Sequence, residues 1–174
     1  SEVSKLRNML CPDAVLHVDG VQGFLRIPMD MAGLQVDSYA LSGHKIHAGK
    51  GVGALALGGR ARITPIMFGG GQEKGFRSGT ENTPGIAGLK AAIESFPAQH
   101  EMKKLKLRLY EKLKSDIDGL AVNGPPPESV SAAPHILNVS FLPVRAETML
   151  HALEGEGIFV GNGSACSSRK KQIS

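Results

Sequence analysis

The sequence predicts a mixed α/β fold, and three observations carry that prediction. Short apolar runs separated by glycine-rich turns fill the first half. A basic segment with helical apolar spacing follows residue 100, and the last third alternates strand-like and helix-like stretches. At 174 residues the chain can hold one domain, or one and part of a second.

The elements follow in order. AVLHV (residues 14–18), VDSYAL (36–41) and VGALAL (52–57) have the length and composition of strands. Their almost unbroken apolar character suits burial on both faces, in a sheet covered by helices. Asn82 with Pro84 in the first turn opens a helix that runs to about Phe96, where Pro97 marks a boundary. Beyond it Met102, Leu105, Leu109, Leu113 and Ile117 recur at helical spacing, which assigns Lys103, Lys104, Lys106, Arg108, Lys112 and Lys114 to a solvated opposite face. HILNVSF (135–141) reads as a strand, AETMLHALE (146–154) as a helix and IFVG (158–161) as another strand. The expected division is residues 1–97 and 98–174. The closing SSRKKQIS reads as the opening of a helix left incomplete, as in a fragment.

Composition excludes several classes. The 22 glycines follow no three-residue period, which excludes collagen, and 5% aromatics with no Trp argue against a stacking platform for single-stranded nucleic acid. A net charge of +4 is too small to identify a partner. Cys11 and Cys166 read as free thiols of a reducing compartment rather than a disulfide framework. No apolar stretch reaches membrane-span length, and SEVSKLRNML has no signal-peptide core, so the expected protein is cytoplasmic and makes no membrane contact.

Familiar motifs fail on spacing. Gly43 and Gly49 stand too far apart for a P-loop, and Gly51 occupies the place of the magnesium-binding hydroxyl. GKGVGA (49–54) precedes a strand instead of following one, and no acidic residue between Asp37 and Glu73 is available for a ribose. No cysteine pair has zinc spacing, His44 with His47 cannot fill a metal site, and no G-x-S-x-G elbow is present.

The residues with complementary chemistry are Asp19, Lys45 and Cys166. Asp19 ends the first apolar run, and Lys45 lies in SGHKIH just after the second. A lysine amine becomes nucleophilic when burial or neighbouring cations lower its pKa, though an arbitrary loop lysine is more often solvated. Cys166 lies in GNGSACSS beside Arg169, Lys170 and Lys171; small neighbours predict an accessible loop, and the cations favour the thiolate. Cys11, next to Pro12, reads as structural.

Five segments, HVDGVQGFLRIPMD, SGHKIHAGKGVGAL, FGGGQEKGFRSGTENT, HILNVSF and GNGSACSS, together resemble the cysteine desulfurases, pyridoxal-phosphate enzymes of the class V aminotransferase group. The resemblance implies fold type I, with the C-terminal part of the large domain in residues 1–97 and most of the small domain in 98–174. It implies that Lys45 holds pyridoxal 5'-phosphate as a Schiff base and later moves the substrate's Cα proton. Asp19 would pair with the pyridinium nitrogen, and Gln22 with the ring's phenolic oxygen. Ser42 and His44 would bind the phosphate, and Thr80 would reach the phosphate of the other subunit in a homodimer. Cys166 would take sulfur from L-cysteine as a persulfide, releasing alanine, and pass it to an acceptor protein such as an iron–sulfur scaffold or a thiolation enzyme.

The family's cofactor-stacking histidine and its substrate-carboxylate arginine have no counterpart in these residues. Arg77 is a candidate substrate contact. A selenocysteine lyase or C–S lyase, and a non-catalytic fragment that binds no cofactor alone, remain the alternative readings.

Overall fold

The computed structural model describes residues 2–163. The chain divides into two compact units, Ser1–Gln99 and His100–Ser174.

The first unit opens with helix α1 (Glu2–Leu10) and carries a three-stranded sheet of β1 (His17–Asp19), β2 (Ser38–Ser42) and β3 (Gly53–Leu57), in that spatial order. β1 and β2 run parallel, with Asp19 opposite Ala40. β3 runs antiparallel to β2, with Ser42 opposite Gly53. The direction follows from the connections. Residues 20–37 between β1 and β2 give room for a crossover, whereas residues 43–52 are too few, and the chain doubles straight back. Helix α2 (Thr83–Ser95) closes the unit. Asn82 caps it by accepting from the Gly85 amide at 3.1 Å, and Pro84 sits in the first turn, where its missing N–H costs nothing.

Burial departs from the sequence expectation. β2 starts buried, but every residue of β3 is exposed, including Leu55 and Leu57. As an edge strand, β3 has a single partner in this unit. The core is correspondingly small: Ile46, Leu89 and Ala92 are buried together, with Phe24, Leu41, Ala48, Val52 and Phe96 packed around them.

Helix α1, which no apolar period announced, turns polar residues inward. Ser4 donates to the Leu34 carbonyl, and Arg7 donates to the Ala14 and Gln35 carbonyls at 3.1 Å each. Arg7 also meets Asp37 at 3.1 Å, and Arg60 reaches the other Asp37 oxygen at 3.2 Å. The Leu16 amide donates to Asp37 at 2.8 Å. That amide, together with Arg60 and Arg7, outweighs burial and holds the Asp37 carboxyl below its usual pKa. The cluster ties α1, the entry to β1 and the entry to β2 together. Cys11, expected to be structural, is exposed at the end of α1.

The second unit contains α3 (His100–Asp116), the antiparallel pair β4 (Leu120–Val122) and β5 (Val139–Phe141), and α4 (Ala146–Gly155). Two expectations need correction. The inward face of α3 is Lys106 with the half-buried Lys103, Leu107, Tyr110 and Leu113, and the half-buried Ile117 follows its last residue, whereas Met102, Leu105 and Leu109 are exposed. Lys106 is 6% exposed and donates to the Ala133 carbonyl at 2.8 Å; burial lowers its pKa, helped by Lys103 and opposed by Glu128. IFVG forms no strand, and Ile158, Phe159 and Val160 are exposed; among the described residues β4 and β5 pair only with each other.

Candidate active site

Parallel strands end on the same side of a sheet, and their carboxyl ends are where α/β folds place ligand sites. Asp19 terminates β1 and Ser42 terminates β2, so both stand at that end. The close approach there depends on two glycines. The Gly20 amide donates to the Ala40 carbonyl at 2.8 Å, with the Tyr39 ring packed directly against its α-carbon. A Cβ on Gly20 would lie 1.9 Å from a Tyr39 ring carbon, so only glycine fits. At Gly43 a Cβ would meet the Val52 side chain at 2.9 Å and the Val52 carbonyl at 3.0 Å.

The turn that follows β2 carries the candidate residues. Gly43–Ile46 forms one 3₁₀ turn, ended by His47 in the left-handed region at φ 70°. Ile46 is 1% exposed and anchors the turn against Leu89 and Ala92 of α2. Lys45, one residue earlier, is half-buried. The Ser42 hydroxyl and His44 Nδ1 share a hydrogen bond of 2.8 Å, whose direction follows the imidazole tautomer. The exposed Asp19 accepts from the Val21 amide at 3.0 Å. Burial raises the Tyr39 pKa, Asp19's charge raises it further, and the phenol stays protonated, donating to the Gly20 carbonyl at 3.4 Å.

Gln22 lies exposed in the run of turns after β1, three residues beyond Asp19. Thr80 and Arg77 belong to a separate loop that leads into α2. Both are exposed, and the Arg77 guanidinium folds back onto the Ser78 carbonyl at 3.0 Å. Cys166, with Arg169, Lys170 and Lys171, lies outside the described residues.

Arg26 escaped sequence reading. From the turns after β1 it donates to the Lys45 carbonyl at 2.6 Å, with its guanidinium 5.1 Å above the Phe96 ring. His47 stacks on the same ring at 5.9 Å between centroids. Burial lowers the Arg26 pKa. A single arginine within the apolar run GFLRIP was the only available signal.

The donor set fits a phosphorylated pyridine aldehyde. A carboxylate suits a protonated ring nitrogen, a hydroxyl and an imidazole suit a phosphate, and a half-buried amine suits the aldehyde. Four of these residues, Asp19, Ser42, His44 and Lys45, share one end of the sheet.

Comparison with known proteins gives the chain's family. A cysteine desulfurase of Nostoc sp. is 41% identical over 160 residues, spanning 89% of this chain and 39% of that protein. A putative cysteine desulfurase IscS 1 of Bacillus subtilis is 38% identical, spanning 89% and 41%. Among solved structures, a NifS-like protein from Rickettsia africae superposes with a TM-score of 0.75 at 34% identity, over 94% of this chain and 45% of that one. The chain therefore spans less than half the length of these relatives, and its mixed α/β architecture is part of their fold-type-I architecture. The model of the aminotransferase class-V family matches residues 2–173, and the chain belongs to that family.

Proposed function

We propose that the whole protein is a pyridoxal-phosphate-dependent cysteine desulfurase. In this reading residues 1–97 are the C-terminal part of the large domain, and 98–174 are most of the small domain carrying the cysteine loop. The observation that carries it is the convergence of Asp19, the Ser42–His44 pair and Lys45 at the carboxyl ends of two parallel strands. A structure of the related SspA, 27% identical with a TM-score of 0.68, is a complex with cysteine, which supports L-cysteine as substrate.

Bound pyridoxal phosphate supplies an electron sink that lets the bond between Cβ and sulfur break. The chain's own residues do the rest. Lys45, half-buried in the turn after β2, anchors the cofactor and moves the proton at the substrate Cα. Asp19 keeps the ring nitrogen protonated, Gln22 orients the ring oxygen, and Ser42, His44 and the other subunit's Thr80 hold the phosphate. Arg77 meets the substrate. The Cys166 sulfur forms an S–S bond as the Cβ–S bond of the substrate breaks. The electron pair left on carbon takes up a proton, and alanine leaves.

The persulfide then passes to an acceptor protein, with iron–sulfur cluster assembly among the destinations. A homodimer in the cytoplasm completes the proposal. Among the described residues no helix is long and apolar enough to cross a membrane.

The test uses Cys166→Ala in the whole protein. Cofactor binding should persist while protein-bound persulfide disappears; sulfur release at the parental rate overturns the assignment.

A further inference from the structure

We propose that Arg26 is a positioning residue for Lys45, acting on the main chain of the lysine turn from a brace on Phe96. The inference rests on the reading of Lys45 as the cofactor-bearing lysine.

Three contacts grip the turn, one at each of three successive residues. The Lys45 carbonyl accepts the Arg26 Nη2 hydrogen at 2.6 Å, a short charge-assisted bond to a carbonyl at the end of a 3₁₀ turn, where such groups lack helical partners. The Ile46 side chain is buried against α2. The His47 ring stacks on Phe96, the residue that ends α2. Phe96 thus serves both His47 and the Arg26 guanidinium. Arg26 reaches across from the turns that follow Asp19, so the same side chain links the carboxylate's loop to the amine's loop.

The arrangement carries a cost that a merely decorative contact would not justify. Arg26 Nη1 is buried without a partner among the described residues, and desolvation works against the guanidinium's charge. The planar group suits the place: it stacks on an aromatic face while donating in its own plane, which the compact ammonium of a lysine has no plane to do. Because Arg26 touches the lysine's carbonyl and not its amine, its effect is to fix where the Lys45 side chain starts.

Hydrogen exchange and chemical trapping test this on the whole protein, in wild type, Arg26→Met and Arg26→Lys. The His47 and Ala48 amides both donate to the Gly43 carbonyl and report the turn directly. In Arg26→Met they should exchange about tenfold faster or more, with the β2–β3 ladder amides unchanged, and Arg26→Lys should recover part of the protection. If Arg26→Met also loses ladder protection, Phe96→Leu, which removes the brace and keeps the charge, is read in its place.

In parallel, pyridoxal phosphate is added, reduced with borohydride and mapped by peptide mass. The ratio of label on Lys45 to label on the exposed Lys50 should fall several-fold in Arg26→Met. Unchanged amide exchange overturns the proposal, as does an unchanged ratio in a variant whose wild type labels Lys45. A wild type that takes no label on Lys45 overturns the cofactor reading, and the positioning role with it.

Discussion

Two glycine-containing stretches of the first unit carry site residues, and they are built in opposite ways. The turn holding His44 and Lys45 has its neighbour Ile46 at 1% exposure, packed under α2. The loop holding Arg77 and Thr80 leaves Ile66 91% and Phe68 81% exposed. That loop is held largely by its own backbone, with Gly75 donating to Gly71 and Gln72, and Gly79 to the Gln72 side chain. Glu73 and Lys74 adopt left-handed φ of 51° and 58° within it. One stretch is fixed by core packing and the other by local geometry. The proposed roles match the difference: a reactive amine whose position decides a rate would sit on the first kind, and contacts completed by another subunit on the second.

The largest contrast is chemical. Lys45→Ala in the whole protein should cut alanine formation by a factor on the order of 10³ or more, whereas Lys74→Ala should leave it within about twofold. Turnover assayed with both variants side by side checks this, and a surviving Lys45→Ala removes the Schiff-base role.

Stability gives the next contrast. Ile46→Ala deletes the most buried side chain of the core and should cost about 2–5 kcal/mol in a urea titration, while Ile66→Ala should stay within roughly 0.5 kcal/mol. Equal costs would mean that the two stretches are not differently anchored.

A third variant, Gly20→Ala, probes the strand end itself. The added methyl must displace the Tyr39 ring, and a loss of about 1–3 kcal/mol is expected from such overpacking.

The smallest effect is a pH dependence. Asp37 has a folded-state pKa below its unfolded value, so its contribution is complete above about pH 4 and is lost as pH falls through the lower folded value. Thermal melts of the wild type should therefore decline in acid more steeply than those of Asp37→Asn. Parallel slopes would remove Asp37 from the ties that hold β2's entry in place.

Legibility in the sequence followed the range of the interaction. The α2 start could be read because Asn82 and Pro84 act within one turn of it. The places of Asp19 at a strand end and of Lys45 just past one could be read because each lies at or beyond an apolar run. By contrast, Arg7 and Asp37 meet across 30 residues, and Arg26 and Phe96 are brought together only by folding. No spacing rule connects such pairs. Helix α1 was invisible for a related reason: its buried face is Ser4 and Arg7, with Leu6 and Met9 exposed, so hydrophobic periodicity had nothing to detect. The seven-residue run HILNVSF yielded a three-residue strand because β4 offers only three partners. The misjudged face of α3 has the same origin: Lys106 is buried because the Ala133 carbonyl, 27 residues away, receives it.

The most direct test of a cofactor site on the Lys45 turn is borohydride reduction of the whole protein mixed with pyridoxal phosphate, followed by peptide mapping. A single pyridoxyl group concentrated on Lys45, with Lys50 and the lysines of α3 nearly unlabelled, is the predicted result. Label spread evenly over the exposed lysines, with Lys45 not preferred, would contradict it.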